Sequence, residues 1–251
     1  MKRLASKCLL AAALASAALV AAGDDLVGAP SQPTHEFHFT RMYYGGYGGG
    51  WRGSTFDTDY PEAEQHFWLG VSRLTRVDIG ERGRILEVTD DAIFDYPWLY
   101  AVEVGRWYLD DAEAARLREY LLRGGFLMTD DFHGSRQWEI FVDSMQRVFP
   151  DRPIVEIPND DEVKHVLYDL EERIQIPGIY PLMSGVTYEQ DGVTPHWRGI
   201  YDDAGRLMVA INFNMDLGDA WEHANDPRYP EPMTGLATRY AVNYVIYAMT
   251  H

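Results

Sequence analysis

Residues 109–131, LDDAEAARLREYLLRGGFLMTDD, constrain the fold more than any other stretch of the chain. Asp110 or Asp111 is placed to cap a helix. Ala114, Leu117, Leu121 and Leu122 supply its inward face, and Gly124 stops it. The apolar run that follows has no polar alternation, as in a strand covered on both faces. Helix, tight turn and buried strand together form half of a parallel crossover unit. The pattern recurs along the chain. Residues 36–44, 84–90, 98–105 and 153–158 read as strands. Residues 59–76 and 135–150 read as helices, the first capped by Asp59 and facing inward through Phe67, Val71 and Leu74. This order predicts an α/β domain with a doubly wound, mostly parallel sheet. A C-terminal β-hairpin is predicted over 199–214, turning at Asp203-Ala204-Gly205, and a closing helix over 238–250.

The first 22 residues have a different character. Lys2, Arg3 and Lys7 precede an apolar run from Leu9 to Val20, and Ala21-Ala22 closes it with small residues. That is the pattern of a secretory signal peptide over 1–22, too short for a stable membrane span. Cys8 lies in the basic region, away from the cleavage site, so a lipid anchor is not expected. A polar, proline-bearing leader over 23–35 follows, and 36–251 forms the domain. The expected location is the periplasm or the cell exterior, with no membrane span after cleavage. Cleavage removes the only cysteine, and with it any disulfide or thiolate nucleophile. It also makes the net charge of −17 more negative. Such a surface repels nucleic acid and anionic lipid, and suits cations, neutral sugars or a basic partner.

Candidate chemistry gathers where predicted strands end, because ligands of open parallel sheets bind beyond the carboxyl ends of the strands. In GGFLMTDDFHG, Asp130 and Asp131 stand at such an end, with His133 beside them. Glu103 ends the strand of 98–105, and Asp216 follows the hairpin. Paired carboxylates can divide acid and base roles or bind a hard cation. Neighbours in an extended segment point to opposite sides, so one of Asp130 and Asp131 is expected in a pocket and the other at a helix cap. The histidines are scattered, without the spacing of a histidine-rich zinc site. No G-x-S-x-G elbow is present. The loop GGYGGGWRG lacks the Lys-Ser/Thr of a phosphate cradle but crowds Tyr43, Tyr44, Tyr47 and Trp51 together. Aromatic faces beside carboxylates suit sugar rings, which places Tyr44, Trp51 and Trp221 with Asp59, Glu103, Asp130 and Asp216 on a ligand-binding rim.

FTRMYY, FDTDYPEAEQHF, the long YPWLYAVEVGRWYLDDAEAARLREYLLRGGFLMTDDFHG, VFPDRPIVEIPNDDEVKHVLYDL and GRLMVAINFNMDLGDAWE together resemble the bacterial domain of unknown function 4159 family. The resemblance runs from about Phe37 to the C-terminus. It implies a flavodoxin-like fold, similar to class I glutamine amidotransferases and trehalose-utilisation-type proteins. Glutaminase chemistry is not implied, since the thioester needs a cysteine that the exported chain lacks. Where relatives carry a Gly-His-Gly-like turn, this chain has Glu103-Val104-Gly105-Arg106-Trp107, so no histidine carries over there.

Three functions stand open on these residues. The leading one is a non-glutaminase domain that binds a small polar ligand or glycan on the rim. The second is a metal-assisted hydrolase, with Asp130 or Asp131 as base or metal ligand, His133 as proton shuttle and Asp216 or Glu103 as partner, of which Asp131, His133 and Asp216 are the leading set. The third is a protein–protein module of the cell envelope. The residues identify no cofactor and no particular metal.

Overall fold

A computed structural model describes residues 33–46, 55–171 and 173–251. The signal peptide and most of the leader lie outside the described residues, as do Tyr47 and Trp51.

The elements run β1 (Thr40–Tyr43), β2 (Gly45–Gly46), α1 (Glu62–Leu74), β3 (Arg84–Glu87), β4 (Trp98–Val102), β5 (Trp107–Tyr108), α2 (Asp111–Leu122), β6 (Phe126–Asp130), α3 (Gly134–Val148), β7 (Val155–Glu156), α4 (Ile179–Met183), β8 (His196–Tyr201), β9 (Leu207–Phe213), α5 (Leu217–Glu222) and α6 (Glu231–Thr250). The main sheet has the order β3-β1-β4-β6-β9-β8-β7, and β2 pairs with β5 in a small antiparallel ribbon. The first five strands of that order are mutually parallel, while β8 runs antiparallel to β9. The protein is therefore a mixed α/β structure with a mostly parallel central sheet.

Both faces of the sheet are covered. Trp98, Tyr100, Val102, Phe126 and Met128 pack against Ala63, Phe67 and Val71 of α1 and against α5 and α6. Leu99, Ala101, Leu127 and Val209 pack against Leu117 and Leu121 of α2 and Phe141 and Met145 of α3. Period-two alternation thus sends odd and even residues of each strand into two separate apolar cores. β6 is buried at all five positions, as its unbroken apolar run predicts. The capping box of α2 forms as expected: Asp110 accepts from Ala112 N and Glu113 N, and Glu113 accepts from Asp110 N. Gly124 takes the left-handed backbone (φ 110°) that ends the helix.

Four expectations need correction. Leu122 is 46% exposed, because it lies about 100° round the helix from Leu121, away from the face that Leu117 and Leu121 share. Leu74 is 45% exposed, because it is the last helical residue, where α1 leaves the sheet. Residues 153–158 supply only the two-residue β7, which pairs antiparallel with β8 at the sheet edge. The hairpin's second strand, β9, instead takes the parallel place beside β6. Finally, Asp59 does not cap α1. Pro61 holds the N-cap position, and Asp59 contributes only its backbone oxygen, to Ala63 N.

Candidate functional site

The carboxyl ends of β4, β6 and β9 converge on one largely buried group of acids. The ladder runs one step past β4, with Glu103 N donating to Asp130 O, and one step past β6, with Asp131 N donating to Met215 O. The backbone then turns left-handed at Glu103 (φ 54°), Asp131 (φ 49°) and Asn214 (φ 62°). Left-handed backbone costs an ordinary L residue about 1 kcal/mol. Here it breaks the strand alternation. Asp130 and Asp131 therefore lie beside the same cluster of acids, and Asp130 is the one of the pair that caps a helix.

Asp130 is fully buried. Its Oδ2 accepts from Leu217 N (2.8 Å), Gly218 N (2.9 Å) and the Tyr100 hydroxyl (3.3 Å). It therefore caps α5, not the helix that follows it in sequence. Asp131 Oδ1 lies 3.1 Å from His133 Nε2. That contact assigns the imidazole proton to Nε2 and leaves the Nδ1 lone pair available. Asp216 caps α5 by accepting from Asp219 N (2.7 Å), and Asp219 Oδ2 accepts from Ile179 N (2.6 Å) at the start of α4.

Asp59 reaches the same place from the loop that leads into α1. Arg41 pins that loop: its Nη1 donates to the Phe56 and Thr58 carbonyls at 2.8 Å each, and its Nε pairs with buried Glu64 at 2.6 Å. One ligand-type oxygen from each of Asp59, Asp216 and Asp219 lies within 4.8 Å of the others. The chain makes room for them with two glycines. A Cβ on Gly178 would sit 2.9 Å from Asp216 Oδ2, 3.0 Å from Asp219 Oδ2 and 3.1 Å from Glu189 Oε1. A Cβ on Gly218 would sit 2.3 Å from Asp59 Oδ2. Three buried atoms, Asp59 Oδ2, Asp130 Oδ1 and His133 Nδ1, have no hydrogen-bond partner among the described residues.

Burial and mutual repulsion govern the titration of this pocket. Burial, then the Asp131 charge, pushes Asp130 up to about 8 against the Gly218 and Leu217 amides. The same two causes push Glu103 up to about 7, with Arg106 and His133 opposing. Asp59 and Asp216 stand well above the usual carboxylate range, through burial first and then the charges of Asp131 and Asp219. Burial also raises Glu189. His133 responds the other way. Burial lowers it, but the Asp131 hydrogen bond and charge outweigh burial and hold the imidazole above its ordinary value. The all-oxygen set of Asp59, Asp216 and Asp219 suits a hard divalent cation.

The structure thus brings together Asp59, Glu103, Asp130, Asp131, His133 and Asp216. It does not bring the aromatic rim. Tyr44 is buried, and its hydroxyl donates to Val102 O at 2.6 Å. Trp221 is buried edge-on to Phe39 and Phe67. Both are core residues: Tyr44, just after β1, and Trp221 of α5 turn inward. Trp51 lies outside the described residues. Asp219, Glu222, His223 and Glu189 escaped the sequence reading. For the first three a signal existed: Asp216, Asp219, Glu222 and His223 follow a three-to-four spacing that stacks side chains on one helical face. Glu189 has no such signal, since it lies in an irregular excursion between β7 and β8 that is tied down by Gln175 and Asn214.

Residues 38–249 match the family described as "Domain of unknown function (DUF4159)". No curated protein matches the chain. No helix among the described residues is long and apolar enough to cross a membrane.

Proposed function

We propose, for a chain that belongs to the DUF4159 family of domains of unknown function, that the acidic pocket holds a hard divalent cation on Asp59, Asp216 and Asp219, and that the protein is a metal-assisted hydrolase. One observation carries this reading: carboxylates from two separate segments, Asp59 ahead of α1 and the pair Asp216 and Asp219 at the start of α5, meet within 4.8 Å, and Asp59 Oδ2 is buried with no donor among the described residues. A buried carboxylate oxygen without a partner is costly unless something positive completes it. The order β3-β1-β4-β6-β9 is 2-1-3-4-5 among the parallel strands, which supports a flavodoxin-like layout with its ligands at the carboxyl ends. The export reading rests on the basic-then-apolar first 22 residues alone.

The chemistry follows from the residues. A divalent cation in the pocket would polarise the oxygen of the scissile group and lower the barrier to attack by water. His133 takes the proton of the attacking water at Nδ1, and the same nitrogen returns it to the leaving group. Asp131 fixes the ring through Nε2 and stabilises the imidazolium that forms between the two transfers. Asp130 holds the first turn of α5, and so the placement of Asp216 and Asp219. The pocket's negative charge selects neutral or cationic substrates over anionic ones.

The test uses chelator-treated chain and a panel of neutral ester, amide and glycoside substrates, with and without Mn²⁺. Cation-dependent turnover that Asp216→Asn abolishes is expected. No cation-dependent turnover in any class, or turnover indifferent to Asp216→Asn, would overturn the hydrolase.

Gly178→Ala gives a milder check on the cation position. The backbone there (φ −64°, ψ 160°) accepts any L residue, so folding changes little. The added methyl crowds three carboxylate oxygens, and Mn²⁺ affinity, read from the ligand dependence of Tm, should fall about tenfold, or about 1.4 kcal/mol. Unchanged affinity would place the cation elsewhere.

A further inference from the structure

We propose that residues 180–193 form a substrate wall beside the acidic site, and that the substrate is an uncharged ester or amide with an apolar acyl chain. This inference rests on the hydrolase reading of that site. Two anchors fix the segment. At one end, Ile179 N donates to Asp219 Oδ2 at 2.6 Å. At the other, Asp191 accepts from Ser135 N at 2.9 Å and from the Ser135 hydroxyl at 2.7 Å, two residues past His133. Glu189 reaches inward as well, since a Cβ on Gly178 would sit 3.1 Å from its Oε1. The segment therefore runs from the proposed cation ligands to the proposed proton shuttle. A substrate that meets both groups lies alongside it.

The segment's own bonds hold its backbone in place. Val186 N donates to Pro181 O at 3.1 Å, Gly185 N to Leu182 O at 3.0 Å, and the Thr187 hydroxyl to Gln175 Oε1 at 3.0 Å. Gly185 supplies the left-handed turn (φ 80°). Yet this backbone keeps large apolar side chains in water. Tyr180 is 79% exposed, Met183 59% and Val193 59%, and Val186 and Tyr188 are exposed as well. Tyr180 and Met183 stand at i and i+3 of α4, so they share one face, while Ile179 turns inward. Apolar surface concentrated in this way marks a binding site. The chemistry of the segment selects the occupant. Residues 174–195 contain no lysine, arginine or histidine, the groups that hold an anionic membrane. Glu189 and Asp191 disfavour an anionic ligand. Met183, Val186 and Val193 suit methylene chains, whereas a sugar ring calls for flat aromatic faces flanked by polar partners. An uncharged acyl chain joined to a scissile carbonyl meets all three conditions.

The deciding experiment uses the full chain, Mn²⁺ and p-nitrophenyl esters of straight-chain acids from acetyl to octanoyl, with a chelator blank. kcat/KM is expected to rise about two- to fourfold per methylene. Met183→Ser and, separately, Tyr180→Ser should each cut the octanoyl-to-acetyl ratio about tenfold. Leu122→Ser, at an exposed leucine on α2, should leave that ratio unchanged. All three side chains are exposed, so each variant folds, which circular dichroism checks. Turnover that ignores chain length, or a ratio that Leu122→Ser lowers as much as Met183→Ser does, would overturn the wall and spare the hydrolase. If no ester turns over, calorimetry with the N-methylamides of the same acids separates the two readings. Binding that strengthens with chain length and weakens in Met183→Ser would sustain the wall and overturn the hydrolase. No such binding would overturn both.

Discussion

Asp59→Asn is expected to make the cation-free chain more stable and at the same time to abolish its response to Mn²⁺. Asn tolerates the left-handed backbone as well as Asp does, so the substitution keeps the local fold at φ 66°. It removes a carboxyl that in the fold must either take up a proton or carry a buried charge facing Asp131 and Asp219, with no donor on Oδ2 among the described residues. Relief of that repulsion should add about 1–3 kcal/mol, a rise of a few degrees in Tm. Loss of a charged ligand should weaken Mn²⁺ binding by about 100-fold or more, since even groups that only orient a metal ligand contribute 10- to 100-fold. Thermal melts with chelator and with a Mn²⁺ series read both effects. A variant that is destabilised without metal, or that keeps the wild-type Mn²⁺ shift, contradicts the role given to Asp59.

The second large effect is a fall in the stability of the cation-free chain as pH rises from about 4 to about 8. Asp130 titrates at about 8 and Glu103 at about 7 in the fold, and both titrate near 4 when unfolded. Between those limits the native state holds more protons than the unfolded state, so stability declines with pH. Each such group contributes its stabilisation fully below pH 4 and loses it as pH passes its folded value. The slope is about 1.4 kcal/mol per pH unit for every site protonated only in the fold. His133, also raised, acts in the same direction above its unfolded value of 6.5. Carboxylates held low by arginine, such as Asp151 and Asp226 at about 2, act oppositely, but only below pH 4. Urea unfolding in chelator at several pH values measures the slope, and saturating Mn²⁺ should flatten it. Stability that is flat or rising from pH 5 to 8 in chelator would mean that these acids are not desolvated together.

Much of the scaffold was legible because its signals are local. The Asp110 capping box, the Gly124 stop and the unalternating run of β6 each depend on a few adjacent residues, and all three form. The site was legible only in part. The rule that ligands gather beyond strand ends found Glu103, Asp130, Asp131 and Asp216. It did not reveal that left-handed residues at Glu103 and Asp131 would turn neighbouring side chains into one space. Asp59 read both as a helix cap and as a rim residue; the cap does not form, since Pro61 holds the N-cap position, and packing of Arg41 against the loop carbonyls fixes the segment that carries the carboxylate. Tyr44 and Trp221 read as a wet aromatic rim, yet burial decides for both, and composition does not encode burial. Asp219 and His223 were hidden by the brevity of α5, since six residues give too few turns for periodicity to stand out.

The most direct measurement is a calorimetric titration of Mn²⁺ into chelator-treated chain at pH 7, repeated in buffers of different ionisation enthalpy. Ligands whose protons are held above the usual carboxylate range must release them on binding. The account predicts saturable binding with about one or more protons released per chain, both lost in Asp216→Asn. Absence of binding, or binding that releases no proton and survives Asp216→Asn, would contradict it.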